Sequence, residues 1–160
     1  MRDLLPPAVA SNPVEAIEIV SLAISDGDLE TALAQYERSA ILQPWQHSPG
    51  ETVADPDGTG ADPDGTGADP DGSAASGLRD VMDLRLPLAL HVLAVVPADG
   101  LVLVLAERRI SGAGPDCEDV NLTGSGAAVV RRQAGGGWRI VADAWRLAGT
   151  GAPGVPRDSP

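Results

Sequence analysis

Two side chains lie where a strand could present them for proton transfer. His91, in the apolar run Leu86 to Val96, shares a face with Ala89, Leu93 and Val95, and its imidazole is the strand ring that can shuttle a proton near neutrality. Asp143, in Trp138 to Leu147, shares a face with Val141 and Trp145. If that face is buried, the Asp143 pKa rises and suits the carboxyl to acid/base work; otherwise it faces solvent or accepts a structural hydrogen bond at a sheet end. Glu107 follows Leu103 and Leu105 on one face and precedes Arg108-Arg109, a setting for an ion pair with an arginine rather than for catalysis. Tyr36, Trp45 and Trp145 are almost all the aromatic residues available, as core or as the wall of a ligand pocket. Arg131 and Arg132 read as one exposed charge and one cross-strand partner.

Several chemistries are excluded by what is missing. All 11 basic residues are Arg, so a Schiff-base lysine and a P-loop lysine are ruled out. The single Cys117 cannot close an internal disulfide, and with only His47 and His91 it builds no recognisable zinc site. No cofactor and no metal are expected. The net charge of -12 argues against nucleic acid, whose phosphates demand a basic stripe. The longest apolar run, Leu86 to Pro97, is broken by His91 and is too short to span a bilayer. Met1 to Ala10 lacks an apolar signal region, so a cytoplasmic protein is expected.

These residues need a scaffold, and 160 residues suit one apolar core. Asn12-Pro13-Val14-Glu15 is a helix start, with Asn12 as N-cap, Pro13 at the first position and Glu15 completing a capping box. The helix should run from Pro13 to about Ser25, burying Ile17, Val20 and Ile24. Asp26-Gly27-Asp28 stops it and caps a second, Leu29 to about Glu37, with Leu29, Leu33 and Tyr36 on one face. A short strand, Ala40 to Leu42, follows.

Ala-Asp-Pro-Asp-Gly then repeats at 54, 61 and 68. The segment 48–76 carries seven acids and no base, and with so little to bury it should be a disordered loop. Its Asp-x-Asp-Gly spacing suggests calcium only weakly, because Thr66 stands where an EF-hand loop needs a bidentate Glu. Residues 1–11 and 148–160 are expected to be disordered as well.

A third helix is predicted over Gly77 to Leu84. Four strands follow: Leu86 to Val96, Leu101 to Ile110, Leu122 to Gln133 and Trp138 to Leu147, the last two joined by the Ala134 to Gly137 turn. Helices first and a meander afterwards imply α+β with an antiparallel sheet. Leu101, Leu103 and Leu105 alternate with Val102, Val104 and Ala106, so both faces are apolar and need cover. Helices on one face and a second subunit on the other would supply it, which implies a homodimer through the sheet.

In this order the motifs resemble the SnoaL-like and ketosteroid-isomerase-like branch of the nuclear transport factor 2-like superfamily. Asn12 to Ile17 is similar to its first helix start, Gly27-Asp28-Leu29-Glu30 with Tyr36 to its second helix, and Trp138-Arg139-Ile140-Val141 to its last strand. The likeness spans Asn12 to about Leu147, apart from the repeat insertion. It implies a cone-shaped roll of N-terminal helices on a curved antiparallel sheet, with an apolar cavity for a small hydrophobic or polyketide-like molecule. Tyr36 to Pro44 resembles the steroid isomerase segment whose final Asp shuttles the proton. Gln43 stands at that base position, and a carboxamide accepts no proton at neutral pH. Ala128 falls near the place of the oxyanion-holding acid.

Two functions fit. A non-catalytic ligand-binding or dimerisation module is favoured by Gln43 and by the scarcity of convergent polar residues, with Tyr36, Gln43, Trp45, Glu107 and Trp145 as pocket candidates. The alternative is an isomerase, cyclase or dehydratase using Asp143 and His91.

Overall fold

A computed structural model describes residues 9–43, 70–115 and 117–149. Helix α1, Pro13–Asp26, starts as its sequence dictates. Asn12 Oδ1 accepts the Glu15 N–H at 2.9 Å, and the Glu15 carboxylate accepts from Ser11. Gly27, at φ 72, ends the helix in the left-handed region that suits glycine. Ala16, Ile17, Val20, Ala23 and Ile24 are buried along one face; each large aliphatic there contributes about 1.5–3 kcal/mol relative to exposure.

Asp28 caps α2, accepting the Thr31 N–H at 3.0 Å, but α2 covers only Leu29–Ala34. Tyr36 therefore belongs to no helix; it opens strand β1, Tyr36–Gln43. The Gln35 carbonyl accepts the Ile140 N–H at 2.8 Å, so sheet pairing takes over where further helical turns were expected. Helix α3, Pro70–Met82, begins inside the segment expected to be disordered. The rest of that segment, with Trp45, lies outside the described residues.

Strands β2 (Leu88–Ala98), β3 (Leu101–Ala113), β4 (Asp119–Arg132) and β5 (Trp138–Trp145) form the meander. The tight turn at Asp99-Gly100 takes positive φ at both residues, the conformation that matches strand twist in a two-residue hairpin. The sheet order is β1-β5-β4-β3-β2. All neighbours are antiparallel except β1 and β5, which run parallel, so the sheet is mixed at that edge. Two stretches expected to be disordered are ordered: Ala10 is buried and bridges Trp138, and Ala148–Gly149 (β6) pairs with β4.

The helices cover one face of the sheet. Val102, Val104, Ala106 and Ile110 of β3 are buried there with Leu122, Ala128 and Val130 of β4 and Ile140 of β5. The outer face carries a cross-strand row, Val96–Leu103–Val129–Ala142–Ile41, with one apolar residue from each of five strands. Val96 is 48% and Ile41 70% exposed. Among the described residues no helix is long and apolar enough to cross a membrane.

Candidate functional site

The most polar spot of the interior is built by three strands. Asp143 projects inward because β5 carries a bulge: Val130 pairs with Ile140 but Val129 with Ala142, leaving Val141 as the extra residue. In a regular strand Ile140 and Asp143 would point to opposite faces; the bulge puts both inside. Asp143 is then flanked in register by Leu42 on β1 and Ala128 on β4, both buried and apolar.

Two groups meet its carboxylate. Arg108 Nη2 donates to Oδ1 at 3.0 Å and to Oδ2 at 3.3 Å, and the Tyr36 hydroxyl donates to Oδ2 at 3.0 Å. The ion-paired side chains are 3% and 1% exposed. Burial raises the Asp143 carboxyl above its ordinary value, against the opposing pull of Arg108 and of the Tyr36 hydrogen bond. Burial also pushes the Tyr36 hydroxyl well up, reinforced by the Asp143 charge, so Tyr36 stays a neutral donor.

Trp145 closes the cluster, with the Arg108 guanidinium 4.7 Å from its ring centroid, within cation–π range. Gly126 lies opposite Trp145 in the register. A Cβ there would come within 2.5 Å of Trp145 Cβ and 2.7 Å of Arg108 Nη1, so this position needs glycine for close approach rather than for a turn. Arg108 Nη1 and Trp145 Nε1 are buried without a hydrogen-bond partner among the described residues, a cost of about 1–3 kcal/mol each.

The other candidates fall elsewhere. His91 pairs with Glu107 across β2 and β3 on the outer face, Nδ1 to Oε2 at 3.9 Å, with side chains 76% and 63% exposed. His91 therefore does not share a site with Asp143, and Glu107 pairs with that histidine rather than with an arginine. Gln43 ends β1, paired through its backbone with Ala144. Arg131 binds Glu37 at 3.3 Å. No group of metal-ligating side chains forms among the described residues.

Arg108 is the member of the cluster that sequence reasoning missed. Its signal was parity: Val102, Val104, Ala106, Arg108 and Ile110 are all inward positions, and a cation in an apolar series requires a buried anion.

No protein-family model matches the sequence, and no curated protein does. Solved structures match the fold. A ketosteroid isomerase-like protein from Erwinia carotovora atroseptica gives a TM-score of 0.59 at 14% identity, over 86% of this chain and 92% of that one. A nuclear transport factor 2-like protein of unknown function from Shewanella oneidensis gives 0.56 at 13%, over 83% and 94%. The Δ5-3-ketosteroid isomerase of a Mycobacterium species gives 0.51 at 19%, over 88% and 93%. At these identities the likeness is one of fold, and it identifies the α+β cone of helices on a curved sheet.

Proposed function

Starting from a nuclear transport factor 2-like fold, we propose that this protein is a non-catalytic module that holds a small hydrophobic molecule in its cone and works as a homodimer. The observation that carries the reading is the state of Asp143. Its carboxylate is fully buried and already accepts from Arg108 and Tyr36, so no free base faces a reacting atom. His91, the other proton carrier, lies on the opposite face. Dimerisation is supported by the outer apolar row, since an exposed apolar surface spanning a whole sheet marks an association face. A lone exposed Cys117 suits the reducing cytoplasm, where this reading puts the protein.

The test uses the full chain. Light scattering should return twice 16.3 kDa at micromolar concentration, and replacing Leu103 with Glu should return a monomer. Neutral aromatic ketones, followed by tryptophan fluorescence, should bind saturably and be recovered unchanged. Turnover of any of them that Asp143→Asn abolishes would favour the isomerase, cyclase or dehydratase reading instead, and a monomeric mass would remove the dimer.

A further inference from the structure

At the Trp138 end of the sheet, away from Asp143, lies a solvent-open hollow of about 550 Å³. Its wall gathers Arg38 near the start of β1, Arg131 and Arg132 at the end of β4, and Arg139 near the start of β5. Four of 11 basic residues thus converge on one spot of a chain whose net charge is -12.

Among the described residues their charges are poorly balanced. Glu37 is the one acid in this wall. Its carboxylate accepts from Arg131 Nη1 at 3.3 Å and from Gln133 Nε2 at 2.8 Å, so it is committed to a single guanidinium. Arg38, Arg132 and Arg139 have no ion-pair partner among the described residues. The register adds to the imbalance. Arg131 and Arg139 are direct cross-strand partners, and like charges placed opposite each other destabilise a sheet. Glu37 compensates Arg131 alone; among the described residues nothing compensates Arg139, and a local rule broken in this way marks a place where a ligand can supply the missing charge.

We propose that this hollow binds a small organic anion with two closely spaced negative charges, best matched by a phosphate monoester. Guanidinium forks take phosphate oxygens in bidentate fashion. The volume falls within the roughly 300–1,000 Å³ of small-molecule sites. Size is limited by the rest of the protein: the strongly acidic chain repels a long polyanion such as nucleic acid, whereas the wall of the hollow itself holds four arginines and one glutamate. The site is separate from the Asp143 cluster and stands independently of the reading given for the cone.

Calorimetric titration of the full chain with phenyl phosphate at constant ionic strength tests it. Saturable binding of one molecule per chain is expected. The double variant Arg132→Gln/Arg139→Gln should weaken it at least about tenfold, while Arg146→Gln, an exposed arginine outside the hollow, should leave it unchanged. Without ligand, Arg139→Gln should melt no lower than the parent, because it relieves the Arg131 repulsion; this separates a lost site from a lost fold. Absence of saturable heat, or equal affinity in the double variant, overturns the proposal. Tighter binding of citrate than of phenyl phosphate overturns the phosphate assignment, and tighter binding of a single-stranded oligonucleotide overturns the small-ligand assignment.

Discussion

Glu107 and Arg108 are neighbours on β3, yet they belong to two different electrostatic worlds. Glu107 faces outward to His91 at 3.9 Å, with both side chains largely in water. Arg108 faces inward to Asp143 at 3.0 Å, with both almost fully enclosed. One step along a strand reverses the face, and with it the dielectric in which a charge acts. The exposed pair is screened and adds little. The buried pair has lost its hydration, so each partner is indispensable to the other even where the pair as a whole adds little net stability.

The sharpest way to break this contrast is to remove one charge from each pair. Asp143→Ala leaves Arg108 buried and uncompensated, and should cost about 3–5 kcal/mol in urea unfolding. The double replacement Arg108→Met/Asp143→Leu should recover most of that loss, since an apolar pair of similar volume is often neutral or better. A double variant as unstable as the single one would mean that packing, not charge, holds the cluster.

Next comes Tyr36→Phe, which takes one donor from the buried carboxylate and should cost about 1.5–3 kcal/mol. Gly126→Ala should follow at about 1–3 kcal/mol, because its methyl has no room between Trp145 and Arg108. At the bottom of the series, Glu107→Gln should change stability by no more than a few tenths of a kcal/mol. A Glu107→Gln loss as large as that of Tyr36→Phe would erase the distinction between the faces.

Titration sharpens the comparison further. A carboxyl whose folded pKa is raised binds its proton more tightly folded than unfolded, so its contribution falls as pH rises from the ordinary value of 3.8 to the raised one. Asp28 behaves in the opposite sense. Its pKa is lowered by the Thr31 side-chain and backbone hydrogen bonds, and its small, solvent-screened contribution is lost as pH falls through the folded value. Subtracting the Asp143→Asn stability profile from that of the parent should therefore leave a component that declines with pH just above 3.8. A difference that rises with pH there would show that Arg108 and Tyr36 outweigh burial.

Much of the scaffold was legible because it depends on neighbours in the chain. Asn12, Pro13 and Glu15 start α1, Gly27 ends it, and the alternation of Val102 to Ala106 marks a buried face, all through contacts or periodicities within a few residues. Tyr36 was misplaced because its helical spacing with Leu29 and Leu33 competes with a pairing to Ile140, more than a hundred residues away. The onset of α3 at Pro70 was hidden by the acidic repeat that runs into it.

For the site, residue order alone places Asp143 among apolar residues and leaves the chain without a lysine for catalysis. It did not determine which way Asp143 points or what meets it. The one-residue bulge at Val141 shifts the phase of β5, and a phase is visible only once β4 supplies the register. The partners Tyr36 and Arg108 stand 107 and 35 residues from Asp143 in the chain. Only the folded sheet brings them to hydrogen-bond distance, and only there does burial turn three ordinary side chains into one closed, mutually dependent group.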